Sequence, residues 1–250
     1  MPDSITAILI IGFTFLLAGL VKGVIGMGLP TVAMGLLSLA IPPVQAAALL
    51  VIPSLVTNLW QLLAGPSFSA LIRRFSTMMI ATVAGTVAGI GLLTGSAGPL
   101  ATIALGIVLA VYGLAGLRTL RLKIPARHES WLSPAVGLVT GVLTGATGIF
   151  VIPAVPYFNA LGLSKEELIQ TLGLSFTVST LALAAGLLLK GQFELQLATH
   201  SLLALLPALG GMFLGQQLRN RLKQEVFRRW FFAALLVLGI YMALRAGIST

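Results

Sequence analysis

Residues 101–117 read Ala-Thr-Ile-Ala-Leu-Gly-Ile-Val-Leu-Ala-Val-Tyr-Gly-Leu-Ala-Gly-Leu. No charge interrupts the run, and apolar residues do not alternate with polar ones. A helix crossing a bilayer needs about 20 mostly apolar residues. A strand of a membrane barrel alternates apolar and polar at every second position. Further apolar runs occupy approximately 5–25, 29–41, 44–65, 76–95, 99–118, 131–148, 149–163, 166–189, 196–216 and 228–247. Backbone polar groups in lipid are satisfied by a helix or by a closed barrel, and the missing alternation excludes the barrel. The expected fold is an all-α polytopic integral membrane protein of about eight to ten hydrophobic segments.

Composition agrees. Of 250 residues, 58% are hydrophobic and 8% are charged. A soluble domain is about one-quarter charged, so this chain could not cover its own surface in water. The net charge of +9 does not point to nucleic acid, because the basic residues sit between apolar runs as in cytoplasmic loops. No cysteine is present, which removes disulfides and thiolate metal sites. His128 and His200 are far apart and form no metal motif. Met1-Pro-Asp-Ser4 lacks the basic start of a cleavable signal, so the first run reads as a retained span.

The chain repeats itself. Gly19-Leu-Val-Lys-Gly23-Val-Ile-Gly26-Met-Gly28 resembles Gly137-Leu-Val-Thr-Gly141-Val-Leu-Thr-Gly145-Ala-Thr-Gly148, and Pro30 or Pro153 follows. Residues 54–65 align with 175–186, Gly85/Gly89 with Gly211/Gly215, and Tyr112 with Tyr241. The expected organisation is a first repeat over 1–120, a basic cytoplasmic linker over 121–130 and a second repeat over 131–250, in one membrane domain. Arg73, Arg74 and the linker make two basic ends in the first half. In the second half the basic loop comes one segment out of phase, at Arg219, Arg221, Lys223, Arg228 and Arg229. That shift favours halves of opposite orientation with five crossings each. If the short segments 29–41 and 149–163 are re-entrant, the count is eight and the repeats are parallel.

The glycine clusters carry the candidate chemistry. Glycine and proline break helices, and broken backbone at membrane depth survives where protein or water satisfies it. A helix restarting there presents free N–H groups and a positive dipole end, which suits a small anion. Two such breaks are expected to face each other at the repeat interface. The candidates are Gly26, Gly28, Gly145, Thr147 and Gly148, with Lys22 beside the first cluster as the charge. Ser54/Ser175 and Asn58/Ser179 are repeat pairs at i, i+4 spacing, each on one helix face, and can donate to an oxyanion. The competing structural readings are close packing for the glycines, an interfacial position for Lys22 and backbone bonding for the hydroxyls. Packing is the better reading of Gly85/Gly89 and Gly211/Gly215, interface anchoring of Trp60, and a hydrogen-bonded structural role of His200.

At these clusters the sequence resembles the TauE/SafE sulfite exporter family, also called the toluene-sulfonate uptake permease family. The resemblance rests on Gly23-Val-Ile-Gly26-Met-Gly28-Leu-Pro30 with Pro42-Pro43 and residues 46–58 after it, and on residues 141–153 with Leu161-Gly-Leu-Ser-Lys-Glu-Glu-Leu and Ser175 after them. Family members often carry a denser glycine run, which Leu29 and Thr147 interrupt here. The resemblance implies a secondary transporter in the bacterial inner membrane, most simply an exporter of sulfite, sulfonate or sulfoacetate, without a cofactor. An anion channel of the same fold and a non-transport membrane assembly protein are the rivals. No catalytic constellation or nucleotide-binding loop is visible, so an enzyme is not expected. Whether the chain works as a monomer or a homo-oligomer stays open.

Overall fold

The computed structural model describes residues 4–95, 98–118 and 123–248. Among them are ten helices: α1 Ser4–Ile25, α2 Leu29–Leu37, α3 Pro43–Leu63, α4 Phe68–Thr94, α5 Gly98–Leu117, α6 Ala126–Thr147, α7 Ala154–Ala160, α8 Lys165–Leu189, α9 Leu195–Arg219 and α10 Gln224–Ile248. No strand occurs among the described residues. Seven helices, α1, α3, α4, α5, α8, α9 and α10, are long and apolar enough to cross a membrane. Their outer faces carry large exposed side chains such as Phe13, Leu189 and Trp230, with Trp60 69% exposed in the last turn of α3.

Segments 29–41 and 149–163 are not full-length helices. Their helical parts are 9 and 7 residues, about 10–14 Å of rise against a hydrocarbon core of about 30 Å. Local chemistry sets these limits. Gly28 caps α2 in the left-handed region at φ 104°, and Pro42-Pro43 opens α3. Gly148 ends α6 at φ 72°, and residues 149–153 are irregular before α7 begins. The basic stretch 121–130 overlaps the start of α6. α6 begins at Ala126, and its Glu129 forms a two-pronged ion pair with Arg74 of α4 at 2.6 and 2.8 Å. The linker residues 121 and 122 lie outside the described residues.

Glycine seams position the rest. A Cβ on Gly19 or Gly23 of α1 would overlap the Ala208 or Met212 carbonyl oxygen of α9. On Gly137, Gly141 or Gly145 of α6 it would overlap the Met78, Thr82 or Thr86 carbonyl of α4. Partners advance four residues together, so α1 runs parallel to α9 and α6 parallel to α4. Gly85/Gly89 and Gly211/Gly215 form the other side of the same two seams, as packing glycines. α5 and α10 run antiparallel, with Gly106 against Gly239 and Ala243, and Gly113 against Phe232 and Leu236. α3 and α8 also run antiparallel: Gly173 abuts Leu62, while the Gln170 Nε2 donates to the Leu62 and Gly65 carbonyls at 2.8 and 2.7 Å. All four pairings join an element before the linker to one after it.

Buried backbone is accounted for locally. Pro53 inside α3 has no N–H for the Leu49 carbonyl. The Ser201 hydroxyl of α9 donates to that carbonyl at 2.7 Å and accepts from the Ile52 N–H at 3.2 Å. The proline and the serine thus form one unit that ties α3 to α9.

Candidate functional site

Lys22 occupies the last turn of α1 and is 4% exposed. Its ammonium donates to the Thr57 hydroxyl at 3.0 Å and to the Asn58 side-chain oxygen. Both acceptors are neutral. The Thr57 hydroxyl donates its own hydrogen bond to the Pro53 carbonyl at 2.7 Å, which leaves a lone pair for the ammonium. Among the described residues no carboxylate pairs with Lys22. The described acids lie elsewhere: Glu129 on Arg74, Glu166 and Glu167 in the first turn of α8, Glu194 capping α9 and Glu225 in the first turn of α10. An ammonium at depth costs several kcal/mol unless its charge is compensated.

The helices also bury polar atoms without partners. They include the Asn58 amide nitrogen and the hydroxyls of Ser54, Ser175, Ser179, Thr140 and Thr171. Each unmet donor in an apolar setting costs about 1–3 kcal/mol, so such a concentration calls for an explanation. Ser54 and Asn58 lie on α3, and Ser175 and Ser179 on α8. Counting back along the antiparallel pair from the Gly173–Leu62 contact brings residues 54–58 level with 175–179, within about two turns. All four are fully buried. Asn58 turns its oxygen to Lys22, so its NH2 is left as a free pair of donors. Thr140, which stands where Lys22 stands in the first repeat, carries no charge, so the charge is one-sided.

The glycines divide into two kinds. Gly26 and Gly28 form a true break immediately after Lys22. They adopt φ 79° and 104°, Gly26 closes α1 by donating to the Lys22 carbonyl at 2.7 Å, and a Cβ on Gly26 would meet nothing within 4 Å. Gly145 sits inside α6 against α4. Thr147 is satisfied, donating to the Leu143 carbonyl at 2.7 Å and accepting from the Ile149 N–H at 3.3 Å. Gly148 ends α6, but no helix restarts there, because α7 begins at Ala154.

Gly28 abuts Phe231 near the start of α10, and Gly148 abuts Met34 and Ala47, the latter near the start of α3. Met34 belongs to α2, which begins directly after Gly28, so one short helix separates the surroundings of the two glycines. Thr57 is the residue that sequence reasoning left out of the site. The available signal was its place beside Asn58 on an apolar helix, where a lysine needs more than one acceptor.

A positive group held by neutral acceptors, with unfilled donors on the neighbouring helices, can receive a small oxyanion without first displacing a carboxylate. The described residues hold no cluster of three or more His, Cys, Asp or Glu, so they offer no metal set of that kind. The family model described as Sulfite exporter TauE/SafE matches residues 11–242 of the chain. No curated protein and no solved structure matches it.

Proposed function

Because the chain belongs to the TauE/SafE sulfite exporter family, we propose that it is a secondary carrier exporting a small sulfur-containing oxyanion across a bacterial inner membrane. Sulfite, a sulfonate and sulfoacetate are the substrate types considered. The observation that carries this reading is the buried Lys22, bound to Thr57 and Asn58 with no carboxylate partner, beside the unfilled donors of α3 and α8. The substrate takes the place of the missing counter-charge. It binds between Lys22, Asn58 and Ser54 on one side and Ser175 and Ser179 on the other, with the Gly26–Gly28 break adjacent.

Movement follows from two inversely oriented halves rocking about that site. The antiparallel α3–α8 and α5–α10 pairs support the inversion, since α3 and α5 run opposite to their counterparts α8 and α10, and the parallel α1–α9 and α4–α6 seams are compatible with it. The linker, Arg73 and Arg74, and the Arg219–Arg229 loop then lie at one end, the cytoplasmic one by their charge. An inside-negative potential drives anion efflux with about 2.3 kcal/mol per charge per 100 mV, so export of an anion needs no buried proton relay. The experiment is tracer efflux from proteoliposomes loaded with sulfite, sulfoacetate, taurine or a non-sulfur dicarboxylate, with and without an imposed potential. Saturable, voltage-responsive efflux of one sulfur anion is expected. Equal leak of all four, or flux indifferent to voltage, contradicts it.

A further inference from the structure

Between Gly26 and Gly28 stands Met27, which carries the one side chain of the first break. Met27 is half-buried, and the Tyr112 phenol of α5 donates to its sulfur at 3.4 Å. The Tyr112 ring packs edge-on against Phe232 of α10 at 5.1 Å, and Phe232 leans on Phe231 at 5.1 Å. Phe231 in turn abuts Gly28, where an added Cβ would lie 3.1 Å from its ring. The α5–α10 pair thus grips the break at two successive residues, through side chains. The α1–α9 seam, by contrast, is backbone against backbone. On the Lys22 side, the Gly26 N–H donates to the Lys22 carbonyl at 2.7 Å, so the position of the break passes directly to the turn that carries the ammonium.

Packing alone does not call for the phenol. Tyr112 is 2% exposed, and a buried phenol usually finds a good acceptor, whereas a thioether is a weak one. Phenylalanine would fill the same ring site without an O–H to satisfy. The repeat does not demand a buried tyrosine either, since Tyr241, the mate of Tyr112, is 51% exposed on α10. Met27, Tyr112 and Phe232 line a cleft of about 670 Å³, so the first break is reached from open space. The residues that follow Gly148 in the second half are sealed, with Ile149, Phe150 and Val151 at 0% exposure.

We infer that Tyr112 is a positioning residue of the carrier: its phenol clasps the Met27 sulfur and so fixes the break, and with it the end of α1 that presents Lys22 to the anion. The inference rests on the anion-carrier reading and deepens it. A thioether on a flexible side chain makes the link weak and adjustable, which holds the break in place without locking it.

Oxidation of Met27 reads the clasp without transport. Hydrogen peroxide gives one oxygen to the sulfur and leaves as water, and mass spectrometry follows the seven methionines side by side. In Tyr112→Phe, Met27 is expected to oxidise about two- to tenfold faster than in the wild type, the range of one modest hydrogen bond, while the buried Met34 and Met78 stay unchanged. An unchanged Met27 rate, or an equal rise at Met34 and Met78, overturns the clasp. Transport reads the positioning. Tyr112→Phe and Met27→Leu are each expected to raise KM for the sulfur anion several-fold with little change in kcat, and the double variant is expected to go no further than the single ones. Both substitutions nearly keep side-chain volume, so folded protein is expected from each. An unchanged KM in Tyr112→Phe, a loss in kcat alone, or effects that multiply in the double variant overturn the positioning role. A faster oxidation confined to Met27 in a protein that moves no sulfur anion would leave the clasp standing and remove the carrier reading.

Discussion

Lys22 donates to the Thr57 hydroxyl at 3.0 Å across 35 residues of sequence, and Thr57 relays to the Pro53 carbonyl at 2.7 Å. The proline, threonine and lysine therefore form one chain of donors and acceptors that ends at the Lys22 side-chain nitrogen. Losing a buried charge partner from a polar interaction costs about 2–5 kcal/mol. Lys22→Met is expected to weaken anion binding about 30-fold or more and to leave the protein folded in detergent. Titration of sulfite binding alongside a thermal unfolding curve separates the two effects.

Asn58→Asp is the sharper change. It adds one oxygen where the unfilled NH2 stands and places a carboxylate directly on Lys22. The expected result is a closed internal ion pair, with transport lost while the unfolding temperature holds or rises. Retained transport with a normal KM would show that the Lys22 charge is not what the substrate meets.

The glycines give opposite outcomes according to their surroundings. Gly141→Leu drives a side chain into the Thr82 carbonyl of α4 and is expected to cost more than about 3 kcal/mol, so that little monodisperse protein is recovered. Gly210→Ala meets nothing within 4 Å and is expected to shift stability by less than about 1 kcal/mol, in the stabilising direction for a helical site. Size-exclusion profiles and unfolding temperatures read both.

Gly28→Ala tests the break itself. At φ 104° an alanine is strained by about 1–2 kcal/mol, and its Cβ would lie 2.9 Å from Val21 Cγ1. Transport is expected to fall at least tenfold with the protein still in the membrane, and wild-type flux would remove the break from the mechanism.

Ser201→Ala leaves the Leu49 carbonyl, freed by Pro53, without a donor. The expected loss is about 1–3 kcal/mol of stability with unchanged substrate preference. Unfolding curves for the single variant and for its combination with Pro53→Ala, which restores an N–H, check the coupling.

Much of this was readable from residue order. In a chain that is 58% hydrophobic, each buried Lys, Asn or Ser stands out, and Lys22, Asn58, Ser54, Ser175 and Ser179 were all recognisable. The contact between Lys22 and Asn58 was not, because it depends on how α1 crosses α3. The spacing of the glycines separates two kinds. Gly137, Gly141 and Gly145 recur every four residues, the period of one helix face and so of a packing seam. Gly26 and Gly28 are two apart, which suits no helix face and marks a break. The short second elements were hidden because apolar length counts residues and not helical turns. Residues 149–151 are apolar and buried yet irregular, lying between Gly148 and Pro153. Thr57 was passed over because a helical threonine usually bonds its i−4 carbonyl. It does so here and still accepts from Lys22.

Equilibrium binding of radiolabelled sulfite to the purified wild-type protein, beside Lys22→Met and Asn58→Asp of verified fold, tests the central claim most directly. The account predicts saturable binding to the wild type that both substitutions weaken about 30-fold or more. Binding that is indifferent to both would contradict it and place the anion away from Lys22.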